Sequence, residues 1–182
     1  FVLYLGELWP ELAIGAPRAI VMAALVATIA VTNIIGVRSA TWSIDAFTIA
    51  KLVPLALLIV LGLPQVDGEV IATQAVADPD WTQAVLVMMF AFGGFESALL
   101  PAGEMRDPKR DIGFALLVGL AVIATVYLLV QLVVIGTVAH AGETKAPLAQ
   151  ALGVLLGPPG VILASGAAMV SVYGWTTGAN LA

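Results

Sequence analysis

Apolar residues run through this chain in long blocks, separated by short connections that hold almost all the charge. Ala19 to Val37 carries no Asp, Glu, Lys or Arg, and Ala46 to Val66 carries only Lys51. Trp81 to Gly103 carries only Glu96, and Ile112 to Gly142 carries none. Ala146 to Ala182 is also uncharged, but Gly157-Pro158-Pro159-Gly160 interrupts it. Such a cluster ends a helix and lets another start. A bilayer-spanning helix needs about 20 mostly apolar residues. The pattern therefore predicts five full spans and a leading stub, at 1–8, 17–37, 45–65, 81–103, 112–140 and 159–182. The 182 residues form a single all-α polytopic membrane domain in this reading.

The chain opens at Phe1 and stops at Asn180-Leu181-Ala182, inside apolar sequence at both ends. No basic segment precedes an apolar core, so no signal peptide is visible. Both features are expected of an internal piece of a longer polytopic protein. Orientation follows from the loops, because Lys and Arg accumulate on the cytoplasmic side. Arg38, Arg106, Lys109 and Arg110 fall in loops on one side, and Arg18 and Lys145 fall on the other. The acidic connection with Asp67, Glu69, Asp78 and Asp80 lies on the basic-poor side, so the basic loops are expected to be cytoplasmic.

Composition narrows the class further. The chain is 61% hydrophobic and 10% charged, whereas soluble domains are about 45–50% apolar and about 25% charged. A soluble domain, a disordered chain and a collagen-like fibre are all excluded. Seven basic residues and a net charge of −5 cannot form a nucleic-acid footprint. There is no cysteine, hence no disulfide framework, zinc cluster or thiol nucleophile. One histidine is present, His140, in a loop. No HExxH, GxSxG or Walker loop occurs, nor any carboxylate pair at metal spacing. The sequence therefore predicts no catalytic residue, no metal and no cofactor, and the protein is not expected to be an enzyme.

Three features carry information. In Phe90-Ala91-Phe92-Gly93-Gly94-Phe95-Glu96-Ser97, adjacent glycines lie mid-span with a carboxylate two positions later. Glycine costs a helix interior about 1 kcal/mol, and a charge at the bilayer centre costs about 2.5–3.5 kcal/mol on insertion scales. Both penalties at one depth predict a helix that breaks to line a cavity, since broken backbone survives in membranes only where protein or water satisfies it. The break offers carbonyls to an ammonium and amides to an anion. Close packing through small residues, with Glu96 paired elsewhere, is the plainer alternative. Lys51 sits about six residues into its span, roughly 9 Å deep. It either snorkels to the interface or is buried, where an ammonium gives up its proton more readily. The third feature, Ala102-Gly103-Glu104-Met105-Arg106-Asp107-Pro108-Lys109-Arg110-Asp111-Ile112, is a charged turn in which Pro108 is expected to stop one helix and Asp111 to cap the next.

The stretch Phe90 to Ile112, FAFGGFESALLPAGEMRDPKRDI, resembles the sixth membrane helix and following loop of the amino acid–polyamine–organocation permeases. Asn33-Ile34-Ile35-Gly36-Val37-Arg38-Ser39 resembles the end of that family's fourth helix, and Lys51-Leu52-Val53-Pro54-Leu55 its fifth. Gly174-Trp175-Thr176-Thr177-Gly178-Ala179-Asn180 resembles the eighth helix of the arginine–agmatine type. Order and spacing agree over nearly the whole chain. Gly113 departs from the pattern, where the family usually has proline.

The resemblance implies the leucine-transporter fold of two inverted five-helix repeats, here from the end of the third helix to the eighth. The family's first helix, whose break binds the substrate carboxylate, is not represented, nor are its last four. On this resemblance Phe90 matches the aromatic that stacks on substrate and gates the site. Ala91, Phe92 and Gly93 match the positions whose carbonyls receive the substrate ammonium. Gly94 and Phe95 complete the break, and Trp175 borders the pocket. Lys51 and Glu96 match the residues tied to proton coupling. The implied function is secondary active transport of an amino acid or related amine by alternating access, driven by proton symport. The implied location is the cell membrane, most naturally a bacterial inner membrane. Amino acid/product exchange and a non-transporting sensor of the same fold are the alternatives. Internal amino acid dependence would mark the first, and a long soluble domain elsewhere in the protein the second.

Overall fold

The computed structural model describes residues 1–35, 40–74, 79–94 and 108–179. Among these the regular structure is helical, with no strand. Two compact units can be separated, residues 1–74 with 132–182, and residues 75–131.

The first unit begins with α1 (Val2–Leu8) and a 3₁₀ turn at Pro10–Ala13. α2 (Gly15–Ile35) and α3 (Ala40–Gly62) follow. Pro54 lies inside α3 and is buried. Its ring leaves the carbonyl four residues earlier without its helical donor. A 3₁₀ turn at Leu63–Gln65 leads to the short α4 (Gly68–Thr73). Asp67 caps α4, its carboxylate accepting from the Glu69 amide at 2.8 Å, which satisfies one of the amides a helix start leaves unpaired. Two ties hold this connection to the end of a long helix, α6 (Pro108–Thr137), and to the loop that follows it. The Asp67 amide donates to the Gly136 carbonyl at 3.1 Å. The Gln74 side chain donates to the Val138 carbonyl at 2.7 Å and accepts from the Ala141 amide at 3.2 Å.

α7 (Pro147–Leu156) and α8 (Pro158–Ala179) close the unit. Gly157 between them has φ +70°, a conformation cheap only for glycine. A Cβ at Gly160 would collide with the Leu152 backbone carbonyl, so this elbow folds tightly because no side chain stands in it. α8 packs on α7, α3 and α1. The core comprises Leu5, Leu58, Val133, Ala149, Leu152 and Ala164 among others. Its many small residues allow close backbone approach, the usual device of helices that pack inside membranes.

The second unit holds α5 (Trp81–Ala91) and the earlier part of α6. Asp80 caps α5, accepting from the Gln83 amide at 2.9 Å. Val85, Leu86, Val87, Met88, Met89, Phe114, Leu117 and Leu128 are exposed, as apolar helices are when lipid or further protein is their solvent. Among the described residues, one helical stretch passes the length and composition test for a bilayer span. It is Asp111–Thr137, 27 residues long. At about 1.5 Å per residue it reaches about 40 Å, beyond the roughly 30 Å of a hydrocarbon core. Other described apolar stretches, such as Gly15–Val31 and Ile49–Gln65, are shorter than that test requires.

Candidate functional site

α5 stops in the middle of an apolar run, and the sequence shows why. Trp81 to Ala91 is an unbroken series of good or tolerated helix residues, and then Phe92-Gly93-Gly94 follows. Phe92 caps the helix at φ −93°, ψ 0°, with its amide on the Met88 carbonyl at 3.0 Å. The Gly93 amide turns back onto the Phe90 carbonyl at 3.1 Å. Gly94 then adopts φ +93°, backbone that residues with a Cβ rarely enter. A Cβ on Gly94 would meet nothing within 4 Å. Backbone conformation, not crowding, is what requires glycine there.

The last carbonyls of a helix have no intrahelical donor, and the macrodipole leaves about half a negative charge at that end. At α5 a tyrosine meets this need. The Tyr127 hydroxyl, from α6, donates to the Ala91 carbonyl at 3.0 Å. Its ring meets Phe92 edge to face, with centroids 5.4 Å apart and planes at 69°. A carbonyl oxygen carries two lone pairs, so Ala91 can accept from Tyr127 and from a second donor together. The end of α5 is thus a small electronegative platform, built from backbone and braced by one phenol.

The expected site residues fall in three places. Phe90, Ala91, Phe92, Gly93 and Gly94 lie together at the end of α5, in the second unit. Phe90 is 86% exposed, so its ring is available to cover whatever approaches the platform. Lys51, on α3, and Trp175, on α8, belong to the first unit and are exposed. Phe95 and Glu96 lie outside the described residues. No group of three or more His, Asp or Glu side chains suited to a metal occurs among the described residues.

Sequence reasoning missed Tyr127. A signal was there, since a lone phenol in a long apolar helix needs a partner for its hydroxyl. What the sequence could not give was the partner, a backbone carbonyl 36 residues away.

Comparison with known proteins places the chain in a family. The model of a family described as amino acid permease matches residues 2–181. A serine/threonine exchanger of Bacillus subtilis is 27% identical over 155 residues, which are 81% of this chain and 35% of that protein. A putative arginine/ornithine antiporter of Escherichia coli is 33% identical over 155 residues, 78% of this chain and 34% of that protein. A probable polyamine transporter of Arabidopsis thaliana is 23% identical over 124 residues. No solved structure matches the chain. The chain spans about a third of the length of the first two of these relatives. It belongs to the amino acid permease family, within the amino acid–polyamine–organocation superfamily of membrane transporters.

Proposed function

We propose that the protein carries an amino acid or a related amine across the membrane by alternating access, with the substrate ammonium received at the end of α5. The observation that carries this reading is the carbonyl end itself. α5 terminates inside apolar sequence at Phe90–Gly94, and its final carbonyl is already oriented by Tyr127. A substrate ammonium supplies three donors and a full positive charge, which matches an electronegative helix end. Phe90 acts as the aromatic cover, and Phe95 and Trp175 are the further residues that the family resemblance offers for contact with the substrate side chain. Membership of the permease family and the transporter names of its relatives support the same reading. The two-repeat fold and the six segments at 1–8, 17–37, 45–65, 81–103, 112–140 and 159–182 form the frame of this proposal.

Coupling has two forms on this scaffold. In the first, Lys51 and Glu96 take up and release protons, and the carrier is a proton symporter. One pKa unit of difference between two carrier states is about 1.4 kcal/mol, enough to tilt their populations about tenfold. In the second, substrate on one side is exchanged for a related amine on the other. The relatives favour this form, being named exchanger and antiporter.

Reconstitution of the intact protein in liposomes tests both. Uptake of labelled amino acids that rises with an inward proton gradient supports symport. Uptake that needs unlabelled amino acid or amine inside, and ignores the gradient, supports exchange. No uptake in either condition contradicts transport of these substrates.

A further inference from the structure

A cavity of about 490 Å³ opens in the first unit between α1, the start of α2 and the residue before the α7 cap. Three charged side chains line it, Glu7, Arg18 and Lys145. Arg18 and Lys145 come from connections far apart in sequence. They are also the two basic residues that the loop count assigns to the basic-poor side of the membrane. Both therefore converge on one concavity, where Glu7 offsets one of the two positive charges and the other is left over. Like charges brought together repel, unless an anion joins them.

The rest of the wall is apolar. Arg18, Met22 and Leu25 are spaced i, i+4, i+7 on α2 and all line the cavity, so they share one helix face. Met22 and Leu25 lie about 6 and 10 Å further along the helix axis than Arg18. A basic group at the mouth of a span, followed by apolar groups one and two turns deeper, has the profile of an interfacial phospholipid. Arginine's planar fork suits a phosphate, and lysine adds a point charge. A free phosphate would satisfy the cations but leave the apolar wall wet, whereas an acyl chain would cover it.

We propose that this cavity binds an anionic phospholipid, its phosphate between Arg18 and Lys145 and an acyl chain along Met22 and Leu25. The test uses the intact protein in phosphatidylcholine vesicles, with and without an equal part of phosphatidylglycerol, and reads bound phosphatidylglycerol after purification by native mass spectrometry. Wild-type protein retains phosphatidylglycerol in preference to phosphatidylcholine. Each basic residue near a membrane surface is worth roughly a fivefold factor in affinity for anionic lipid. Arg18→Gln with Lys145→Gln therefore lowers retention roughly 25-fold, and Arg18→Lys loses less than Arg18→Gln. Glu7→Gln, which removes the opposing charge, raises retention. All of these side chains are exposed, and a thermal melt of each variant checks that it is folded. Equal retention in wild type and the double variant overturns the proposal. Equal retention of phosphatidylcholine and phosphatidylglycerol overturns the charge assignment. Displacement of the lipid by millimolar inorganic phosphate would show a free-anion site and overturn the lipid assignment.

Discussion

The Tyr127 hydroxyl donates to the carbonyl of Ala91 at 3.0 Å, and so joins α6 to the last residue of α5. Its ring packs edge to face on Phe92, the residue that caps the same helix. One side chain thus holds the carbonyl end of α5 by a hydrogen bond and an aromatic contact. In a membrane protein this matters twice. An unsatisfied carbonyl in apolar surroundings costs several kcal/mol, and a carbonyl that wanders cannot be aimed at a substrate.

Tyr127→Phe separates these roles, because it removes the hydroxyl and keeps the ring. A net hydrogen bond is worth about 1 kcal/mol, so the half-saturating substrate concentration should rise about fivefold. The same bond supports the fold, so the melting temperature should also fall by about 2–4 °C. Initial-rate uptake across a substrate series measures the first, and a thermal melt in detergent the second. An unchanged uptake curve would remove Tyr127 from the site.

Gly94→Ala tests the backbone of the break. Nothing lies within 4 Å of the added methyl group, so the whole cost comes from the φ of +93°. Such strain costs about 1–3 kcal/mol. The variant should transport at least fivefold more slowly, while Gly113→Ala, also in open space but within α6, should transport normally. Equal activity of the two would show that the turn at Phe92–Gly94 is not needed.

Lys51→Ala distinguishes the two forms of coupling. In the symport form it abolishes the response of uptake to an inward proton gradient and spares amino acid exchange. In the exchange form wild type already ignores the gradient, and amino acid exchange survives the substitution. Parallel gradient-driven and counterflow assays on the same vesicles give the answer.

Gly160→Ala addresses the fold alone. Its Cβ would strike the Leu152 carbonyl, a backbone atom that cannot swing aside, and would pry α8 from α7. Overpacking of this kind costs about 1–3 kcal/mol. The melting temperature should fall by several degrees, with little change in substrate affinity among the molecules that remain folded. A melt equal to that of wild type would show that the α7–α8 elbow has room to relax.

Some of this was legible in the residues and some was not. The interruption at Gly157–Gly160 is written in Pro and Gly, and α7 ends and α8 begins there. The glycine pair at 93–94 likewise marks where α5 stops. Both are local effects, set by backbone freedom within a few residues. The short α4 was not legible, because the residues from 66 to 80 read only as a charged connection. Its ends are fixed by Asp67 locally and by Gln74 reaching Val138, just past α6, at a distance. Tyr127 was missed for the same reason: its partner is a main-chain oxygen, and a main-chain oxygen leaves no mark on the sequence. The convergence of Arg18 and Lys145 on one cavity also depends on tertiary packing that spacing does not encode.

In the proposed function, the end of α5 receives the amino group of the substrate. The most direct measurement is competition for uptake by the intact protein in liposomes, between a transported amino acid and its N-acetyl derivative. Acetylation removes the positive charge and two of the three donors but keeps the carboxylate and side chain. The free amino acid should compete fully and the N-acetyl derivative at least a hundredfold more weakly, as expected when a charged, multiply bonded contact of roughly 3 kcal/mol is lost. Equal competition by the two would contradict it.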